Sequence, residues 1–319
     1  MAETYGGAGK KKRGLLVGLL ILILVIFCII VMTINSRKPE SLGQIKFDSK
    51  VKGAAFVRTN QMLIQQMFEN WLPNDMYWPT VFLDNMPSFQ IGELEVVRYN
   101  IHVLRDNLSR MRTTDKIDAR IEDAFTAISN DPHKWWFPSA ESKWKDAYQD
   151  LEVYYQNLVS GKSQFYPRGD NLIELLDDYA SLMGGVNTRL VNAPQRSGYV
   201  LPVDAGDKKN GKAASSLVPI NISWRHIDDN FYYAQGVAYG LYESFKAIRI
   251  DFKQVLEEKS VMTLVNKIIE NLERCYFEPW VVFNGASNSI FANHSLNLSG
   301  VFNDARQKID SLSTSLRQG

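Results

Sequence analysis

One uninterrupted apolar run, from Gly14 to Ile34, constrains the fold of this chain more than any other feature of its sequence. The run contains no charged residue, and as a helix it would be about 30 Å long, which matches the hydrocarbon core of a bilayer. A cleaved signal peptide is the alternative, but its apolar part is normally only about 7–15 residues long and ends at a small-residue cleavage site. Residues 33–37 read TINSR and do not resemble such a site. The sequence therefore predicts an uncleaved transmembrane helix at residues 14–34.

Basic residues flank this run unequally. Four stand directly before it: Lys10, Lys11, Lys12 and Arg13. Only Arg37 and Lys38 follow it closely. Because basic residues tend to stay on the cytoplasmic side, the excess predicts a cytoplasmic N-terminus in the inner membrane and a periplasmic main domain, if the cell is a Gram-negative bacterium. The basic cluster before the run either binds anionic lipid head groups or only sets this orientation.

Composition divides the chain into segments. Residues 1–13 form a short cytoplasmic tail, and residues 35–53, after the transmembrane helix, form a polar linker. Residues 54–319 have the pattern of one helical domain, interrupted at 191–219 by a long stretch rich in Gly, Ala, Ser and Lys. Because this stretch offers few apolar side chains to bury, we predict that it is a flexible insertion.

Apolar residues after the linker recur at steps of three and four, which is the spacing of one face of a helix. The longest such seam consists of Phe231, Ala234, Ala238, Leu241, Phe245, Ile248, Phe252 and Val255. No stretch sustains an alternation of two. The predicted fold class is therefore all-α, with an N-terminal single transmembrane helix followed by an extramembrane bundle of about seven to eight helices.

Small residues and helix caps add local detail to this prediction. The seam is thin where small side chains gather at residues 234–240, so a neighbouring helix could approach closely there. Ser88, Thr114 and Asp170 have the type and position of an N-cap before an apolar stripe, and Ser139 is expected to begin a further helix.

Neither a cofactor nor a metal site is predicted. The two cysteines, Cys28 and Cys275, cannot easily pair because Cys28 lies in the apolar run. None of the four histidines stands at a recognised zinc spacing from another ligand. The formal net charge is +1, which gives no reason to expect a nucleic acid as partner.

The stretch FNGASNSIFANHS at residues 283–295 is the strongest candidate for chemistry. It gathers Asn284, Asn293 and His294 with Ser287 and Ser289. Its GASNS segment comes close to the hydrolase elbow G-x-S-x-G, but a serine replaces the second glycine and no clear strand precedes it. Three interpretations remain open: a catalytic loop, a binding or docking loop, and a structural turn in which Asn293 or Ser295 caps the last helix.

Aromatic residues gather in loops that prolines interrupt. Trp78 lies in one such loop, Trp135 and Trp136 lie in a second, and Trp280 lies in a third. One interpretation is that these side chains fill the ends of the helical bundle. The alternative is a surface for a protein partner or for lipid, since exposed tryptophan favours interfaces.

Four segments carry a resemblance to a known family. They are VFLDNMPSFQIGEL (81–94), FYPRGDNL (165–172), IDDNFYYAQGVAYGLYESFKAIRIDFKQVLEEK (227–259) and FNGASNSIFANHS (283–295). In this order they resemble the bacterial membrane-anchored family known as domain of unknown function 2333. The resemblance implies a Gram-negative source and a single-pass envelope protein. It implies no reaction and assigns no catalytic residue.

Two hypotheses of function follow. The favoured one is a non-catalytic interaction or scaffold protein of the cell envelope, whose partners are inner-membrane lipids and a protein partner or a second copy of the chain. It predicts a large exposed apolar patch or a stable oligomer. The alternative is a periplasmic envelope hydrolase with its site near residues 283–295 and with Asp84 as a further suspect. It predicts a pocket in which titratable groups converge.

Overall fold

A computed structural model describes residues 6–76, 78–112, 114–192, 198–199, 217–218, 227–279, 282 and 293–318. The all-α fold class is confirmed. The helices are α1 (Gly6–Asn35), α2 (Ala54–Glu69), α3 (Asn85–Val103), α4 (Ala119–Ile128), α5 (Ala140–Val159), α6 (Gly169–Asn192), α7 (Ile227–Asp251), α8 (Lys253–Glu258), α9 (Met262–Arg274) and α10 (His294–Arg317). A 3-10 turn lies at Thr80–Phe82, and a π-helical turn at Leu104–Leu108 extends α3. Two short strands, β1 (Gly198–Tyr199) and β2 (Leu217–Val218), pair antiparallel.

The apolar run of the sequence lies within α1. Residues Arg13–Asn35 of this helix are long and apolar enough to cross a membrane, with a mean hydropathy of 3.6. The helix is exposed along most of its length, but Cys28, Val31, Met32 and Asn35 are partly buried. Since these four positions recur at steps of about three and four, one face of the last two turns of α1 is covered by the rest of the protein.

The centre of the domain is the crossing of α3 and α7. A Cβ atom added at Gly236 would overlap the carbonyl oxygen of Phe89, and one added at Gly92 would overlap that of Tyr233. Each helix therefore approaches the backbone of the other through a glycine, and the predicted thin part of α7 is confirmed. The apolar seam of α7 is buried from Phe231 to Phe252.

The other helices cover this central pair on two sides. On one side α6 packs against α10, and α10 also packs against α9. On the other side α2 packs against α7 and α5, and α5 packs against α4. The described residues hold nine α-helices after α1, whereas about seven to eight were predicted. One additional helix arises because a break at Phe252 separates the six-residue α8 from α7.

A buried polar network fixes the position of these helices. The Asn100 amide of α3 donates to Asn60 Oδ1 of α2 at 2.7 Å and to Ser244 Oγ of α7 at 2.8 Å. The Tyr179 hydroxyl of α6 donates to Asn100 Oδ1. Because each of these groups is buried and satisfied, any shift between the four helices would leave a buried polar group without a partner.

The predicted helix starts are only partly correct. Asp170 lies in the first turn of α6, which begins one residue earlier at Gly169. Ser139 caps α5 by accepting from Ser142 N. The predictions of Ser88 and Thr114 were wrong, because α3 is capped by Asp84 and α4 by Asp118, each four residues away. In α3 the cause is Pro87, a residue type typical of loops. Here it lies in the first turn of the helix, where the missing N–H costs no hydrogen bond.

The segment between α1 and α2 lies along the domain. Asp48 N donates to the Tyr155 hydroxyl at 3.1 Å, and Asp251 accepts from Gly53 N and Phe56 N at the start of α2. The segment boundaries drawn from the sequence stay predictions. Of the expected flexible insertion at 191–219, only residues 191–192, 198–199 and 217–218 are described.

Candidate functional site

Two proline-interrupted loops, before α3 and before α5, form one structural unit at the end of the domain. The Trp71 indole donates to Pro132 O at 2.9 Å, and the Asn74 amide donates to Lys134 O at 3.2 Å. His133 Nδ1 lies 3.2 Å from Pro73 O. These bonds join segments about 60 residues apart in the sequence, so the two loops hold each other in place.

This loop unit exposes a group of large apolar side chains, here called the aromatic surface. Its members are Met76, Trp78, Val81, Phe82, Trp135, Trp136 and Phe137. The Trp136 side chain is 69% exposed, and its ring meets that of Trp135 edge-on at 5.3 Å between centroids. Isolated exposed apolar residues need no explanation, but seven of them on one loop unit indicate an interaction surface.

The aromatic surface adjoins α1. The Thr80–Phe82 turn packs against α1, whose last two turns carry the partly buried face described above. The domain therefore lies directly against the C-terminal end of the apolar helix, and large apolar side chains are exposed beside that end.

A second feature at this end is a cleft of about 210 Å³, here called the carboxylate cleft. Its walls come from the end of α1, from α2 and its C-terminal side, and from α3. They are formed by Ile34, Asn35, Arg37, Pro39, Gln66, Met67, Asn70, Leu72, Met86, Gln90 and Glu93. The cleft thus combines a cation, a carboxyl group and four amides with apolar side chains.

Glu93 is the unusual group in this cleft. It is only 1% exposed, and its Oε1 atom has no hydrogen-bond partner in the described structure. Burial, with a smaller contribution from the nearby Glu243, raises the pKa of Glu93 to about 8. The oxygen atoms of a buried carboxyl group normally have hydrogen-bond partners. We therefore expect this atom to be bound by a ligand or a water molecule, or to carry a proton.

Glu243 of α7 is buried as well, but it is well partnered. It accepts hydrogen bonds from Ser41 Oγ at 2.8 Å and from Leu42 N at 3.1 Å, and Lys246 Nζ lies at 2.8 Å. The two buried carboxyl groups therefore differ in environment. Glu243 is held by donors and a cation, whereas Glu93 faces the cleft.

Residues 38–42, here called the strap, cover this pair of carboxyl groups. Lys38 Nζ donates to Gln235 Oε1 at 3.2 Å, and burial lowers the pKa of Lys38. The Tyr239 hydroxyl donates to Glu40 O at 2.9 Å, and the Tyr276 hydroxyl donates to Pro39 O. The strap begins three residues after α1, so these contacts fix the domain to the end of that helix.

Comparison with known families identifies the chain. The model of the family described as "Uncharacterized protein conserved in bacteria (DUF2333)" matches residues 9–319. The chain belongs to the DUF2333 family. The match covers α1 from residue 9 onward and the rest of the chain, so this is a bacterial protein in which the apolar helix and the domain belong to one family unit. Neither the curated proteins nor the solved structures gave a significant match to the chain.

The residues that the sequence singled out in this DUF2333 chain lie in different places. Trp78, Trp135 and Trp136 belong to the aromatic surface, whereas Trp280 and Asn284 lie outside the described residues. Asn293 caps α10 by accepting from Leu296 N at 2.9 Å, and His294 is the first residue of that helix. Lys10, Lys11 and Lys12 belong to the N-terminal part of α1, and Arg13 is exposed.

The second suspect of the hydrolase hypothesis also acts as a helix cap. Asp84 is the N-cap of α3 and accepts from Asn85 N at 2.9 Å. Among the residues that the structure describes, no three His, Cys, Asp or Glu side chains come together to hold a metal ion.

Sequence reasoning missed the carboxylate cleft and the groups behind it. Gln235, Tyr239 and Glu243 stand at steps of four on α7, within its apolar stretch, and Glu93 stands four residues after the buried Phe89 on α3. Polar residues at the spacing of a buried helical face were the available signal.

Proposed function

We propose that this protein is a membrane-anchored, non-catalytic interaction protein of the bacterial cell envelope. In this proposal α1 crosses the inner membrane with its N-terminus in the cytoplasm, and the helical domain lies in the periplasm. The aromatic surface is a second contact with the membrane, so the lipids of the bilayer are the first partners of the domain. The observation that carries the proposal is the packing of the Thr80–Phe82 turn against α1, whose partly buried positions among the described residues all lie between Cys28 and Asn35.

The position of this contact along α1 supports a bilayer as the partner. From Cys28 to Asn35, the partly buried face of α1 extends over about 10 Å of helix rise. The polar interfacial layer on each side of a bilayer is about 5–7 Å thick. If residues 14–34 occupy the hydrocarbon core, Asn35 lies at the edge of the core and Cys28 lies about 10 Å further in. The part of the domain that covers this face then reaches through the interface into the outer part of the core.

The chemistry of the aromatic surface also fits that depth. Tryptophan is enriched where a membrane meets water, because its ring is apolar and its N–H group can remain hydrated. Trp78, Trp135 and Trp136 are exposed on loops, and Phe82 and Phe137 add purely apolar area beside them. An exposed surface of this kind is costly in water and favourable at a bilayer surface.

A domain held in this way has a fixed height and orientation above the membrane. The strap contacts of Lys38 with Gln235 and of Ser41 with Glu243 support this rigidity. In the proposal, such a platform presents its remaining helical faces to a second copy of the chain or to another envelope protein. The capping roles of Asp84 and Asn293 favour this function over the hydrolase alternative.

A photo-crosslinking amino acid at position 136 tests the proposal in living cells that carry the full-length chain. The matched control places the same amino acid at Val153, which is also exposed but lies on α5, outside the aromatic surface. We expect light-dependent adducts with membrane lipid at position 136 and far fewer at position 153. An adduct with a protein alone would contradict the bilayer contact, and equal yields at both positions would contradict a special role of the aromatic surface.

A further inference from the structure

The geometry points to the carboxylate cleft as a binding site for a phosphoethanolamine group, the zwitterionic head group in which a primary ammonium follows a phosphate ester. The inference deepens the proposed function, because a lipid is the first source of this group at the end of a membrane helix. The argument rests on three features of the cleft: its floor, its rim and its position.

The floor of the cleft can accept hydrogen bonds from a primary ammonium. Glu93 lines the cleft and is only 1% exposed. Its Oε1 atom has no hydrogen-bond partner in the described structure. An ammonium group has three N–H donors and a positive charge, so it would satisfy this atom and stabilise the carboxylate form. Gln66 lies beside it, with its own Oε1 already accepting from the Tyr239 hydroxyl at 3.0 Å.

The rim of the cleft can bind a phosphate. Arg37 is exposed there, and its guanidinium group pairs with no carboxylate among the described residues. The Asn70 side chain on the rim makes no hydrogen bond to the described part of the chain and is free to donate. Guanidinium and amide N–H groups are the usual partners of phosphate oxygens.

Gln90 explains why the site has a defined shape. Its Oε1 accepts from Leu72 N at 3.0 Å, and its Nε2 donates to Asn70 O at 2.6 Å. Both ends of this side chain are therefore used in holding the wall, and the segment that carries Asn70 and Leu72 is fixed against α3. The cleft is too small for a drug-sized ligand but has room for a small polar group.

The order of charges matches one orientation of the ligand. In a phosphatidylethanolamine molecule the ammonium is the outermost group, the phosphate follows, and the acyl chains come last. With the ammonium at Glu93 and the phosphate at Arg37, the acyl chains leave the cleft beside Ile34, the last apolar residue of the run. A phosphatidylcholine lacks the N–H donors that Glu93 requires, and a phosphatidylglycerol lacks the cation.

Calorimetric titration of the full-length protein in detergent tests this site. The probes are the dihexanoyl forms of phosphatidylethanolamine, phosphatidylcholine and phosphatidylglycerol, together with free phosphoethanolamine. We expect phosphatidylethanolamine to bind roughly tenfold or more tightly than the other two lipids, as one charge-assisted hydrogen bond would provide. If free phosphoethanolamine binds as tightly as the lipid, the source is the soluble group, and if it binds much more weakly, the source is the lipid.

Two variants and a control make the test specific. Glu93→Gln keeps the size of the side chain and should weaken phosphatidylethanolamine binding roughly tenfold, while Arg37→Gln should weaken binding of phosphatidylethanolamine and of free phosphoethanolamine. The control is Glu270→Gln, since this exposed carboxyl group on α9 pairs only with Arg274 among the described residues and lies outside the cleft. Equal affinity for the three lipids, or unchanged binding in Glu93→Gln, would overturn the inference and leave water as the occupant.

Failure of this site can be told apart from failure of the proposed membrane contact. The titration measures the cleft in detergent, where the aromatic surface has no bilayer to contact. Crosslinking at position 136 measures the aromatic surface and does not depend on Glu93. A negative titration with a positive crosslink would overturn only the head-group assignment.

Discussion

Two tryptophan pairs with similar ring geometry involve the loop unit, but only one of the pairs is buried in the domain. Trp71 and Trp144 meet edge-on at 4.2 Å between centroids and are buried, at 6% and 0% exposure. Trp135 and Trp136 meet edge-on at 5.3 Å and are 55% and 69% exposed. The two pairs are close neighbours, because Trp71 and Trp135 line the same cleft together with Met76. This cleft is separate from the carboxylate cleft.

The difference separates two uses of the same residue. The buried pair stabilises the domain, because its rings are packed by α2, α5 and the loop unit. The exposed pair contributes little to folding, and its apolar area stays available for a partner. Trp78, Trp135 and Trp136, for which the sequence analysis left both uses open, are exposed and do not fill the interior. A partner surface formed by them stays a prediction.

Replacing Trp144, the fully buried member of the interior pair, should have the largest effect on stability. Trp144→Ala removes a fully buried ring and should lower the free energy of unfolding by about 3–5 kcal/mol. The measurement is thermal or urea unfolding of the full-length protein in detergent, followed by circular dichroism. A loss below about 1 kcal/mol would mean that the interior around Trp71 and Trp144 is not the closely packed region described here.

A change at the helix crossing tests how tightly the interior is packed. In Gly236→Ala the new methyl group would overlap the Phe89 carbonyl oxygen, so α3 and α7 must move apart, at a cost of about 2–3 kcal/mol. The control is Gly185→Ala on α6, where no atom lies near the added carbon and a gain of up to about 1 kcal/mol is expected. Equal unfolding temperatures for the two variants would contradict the close crossing.

The buried carboxyl group of Glu93 should make stability depend on pH. Its pKa is raised to about 8 in the folded protein, so between about pH 5 and pH 8 the folded state keeps a proton that the unfolded state has released. Stability from this group is therefore lost as the pH rises through that window, by up to about 1.4 kcal/mol per pH unit. The ionisable side chains near this carboxyl group are those of Glu243, Tyr239 and Tyr276. A substitution at Glu93 leaves all three in place.

Glu93→Gln should flatten this dependence. The variant cannot release a proton, so its unfolding free energy should fall less than that of the wild type between pH 5 and pH 8. Asp251, whose pKa burial raises to about 6, remains in both proteins and contributes equally. Parallel pH profiles for the wild type and the variant would refute the assigned environment of Glu93.

The smallest effect on stability is expected at the exposed pair. Trp135→Ala and Trp136→Ala together should change the free energy of unfolding by only about 0.5 kcal/mol, because the rings lose little buried area. The same double variant should lose its lipid contact in a bilayer. A loss as large as that of Trp144→Ala would remove the distinction between the two pairs.

Much of the fold follows from spacing alone. The seam from Phe231 to Phe252 predicted α7, and the small residues within it predicted the close neighbour that α3 turns out to be. Helix starts were harder, because Asp84 and Asp118 compete with the similar side chains of Ser88 and Thr114. The decisive factor at α3 is that Pro87 fits the first turn of a helix as well as it fits a loop.

The candidate site was only partly predictable. Trp78, Trp135 and Trp136 were noticed because they stand in loops with prolines, but composition does not tell whether a loop tryptophan is covered. The role of Glu93 depends on Glu243 and on the strap, which come from segments about 150 and 50 residues away. Contacts between polar groups from distant segments produce no local sequence pattern. The only local sign is a charged residue at a position that the helical spacing assigns to a buried face.

The most direct test of the membrane contact is quenching of Trp136 fluorescence by brominated lipids. The protein is the full-length chain that keeps the buried Trp71 and Trp144 together with Trp136, with the other tryptophans replaced by phenylalanine, reconstituted in vesicles whose lipids carry bromine at different depths. The control carries Trp136→Phe as well, so that only the buried pair emits. The account predicts strong quenching by bromine near the head groups in the first protein and little quenching in the control. Equal, weak quenching of both proteins would contradict it, because the aromatic surface would then lie in water.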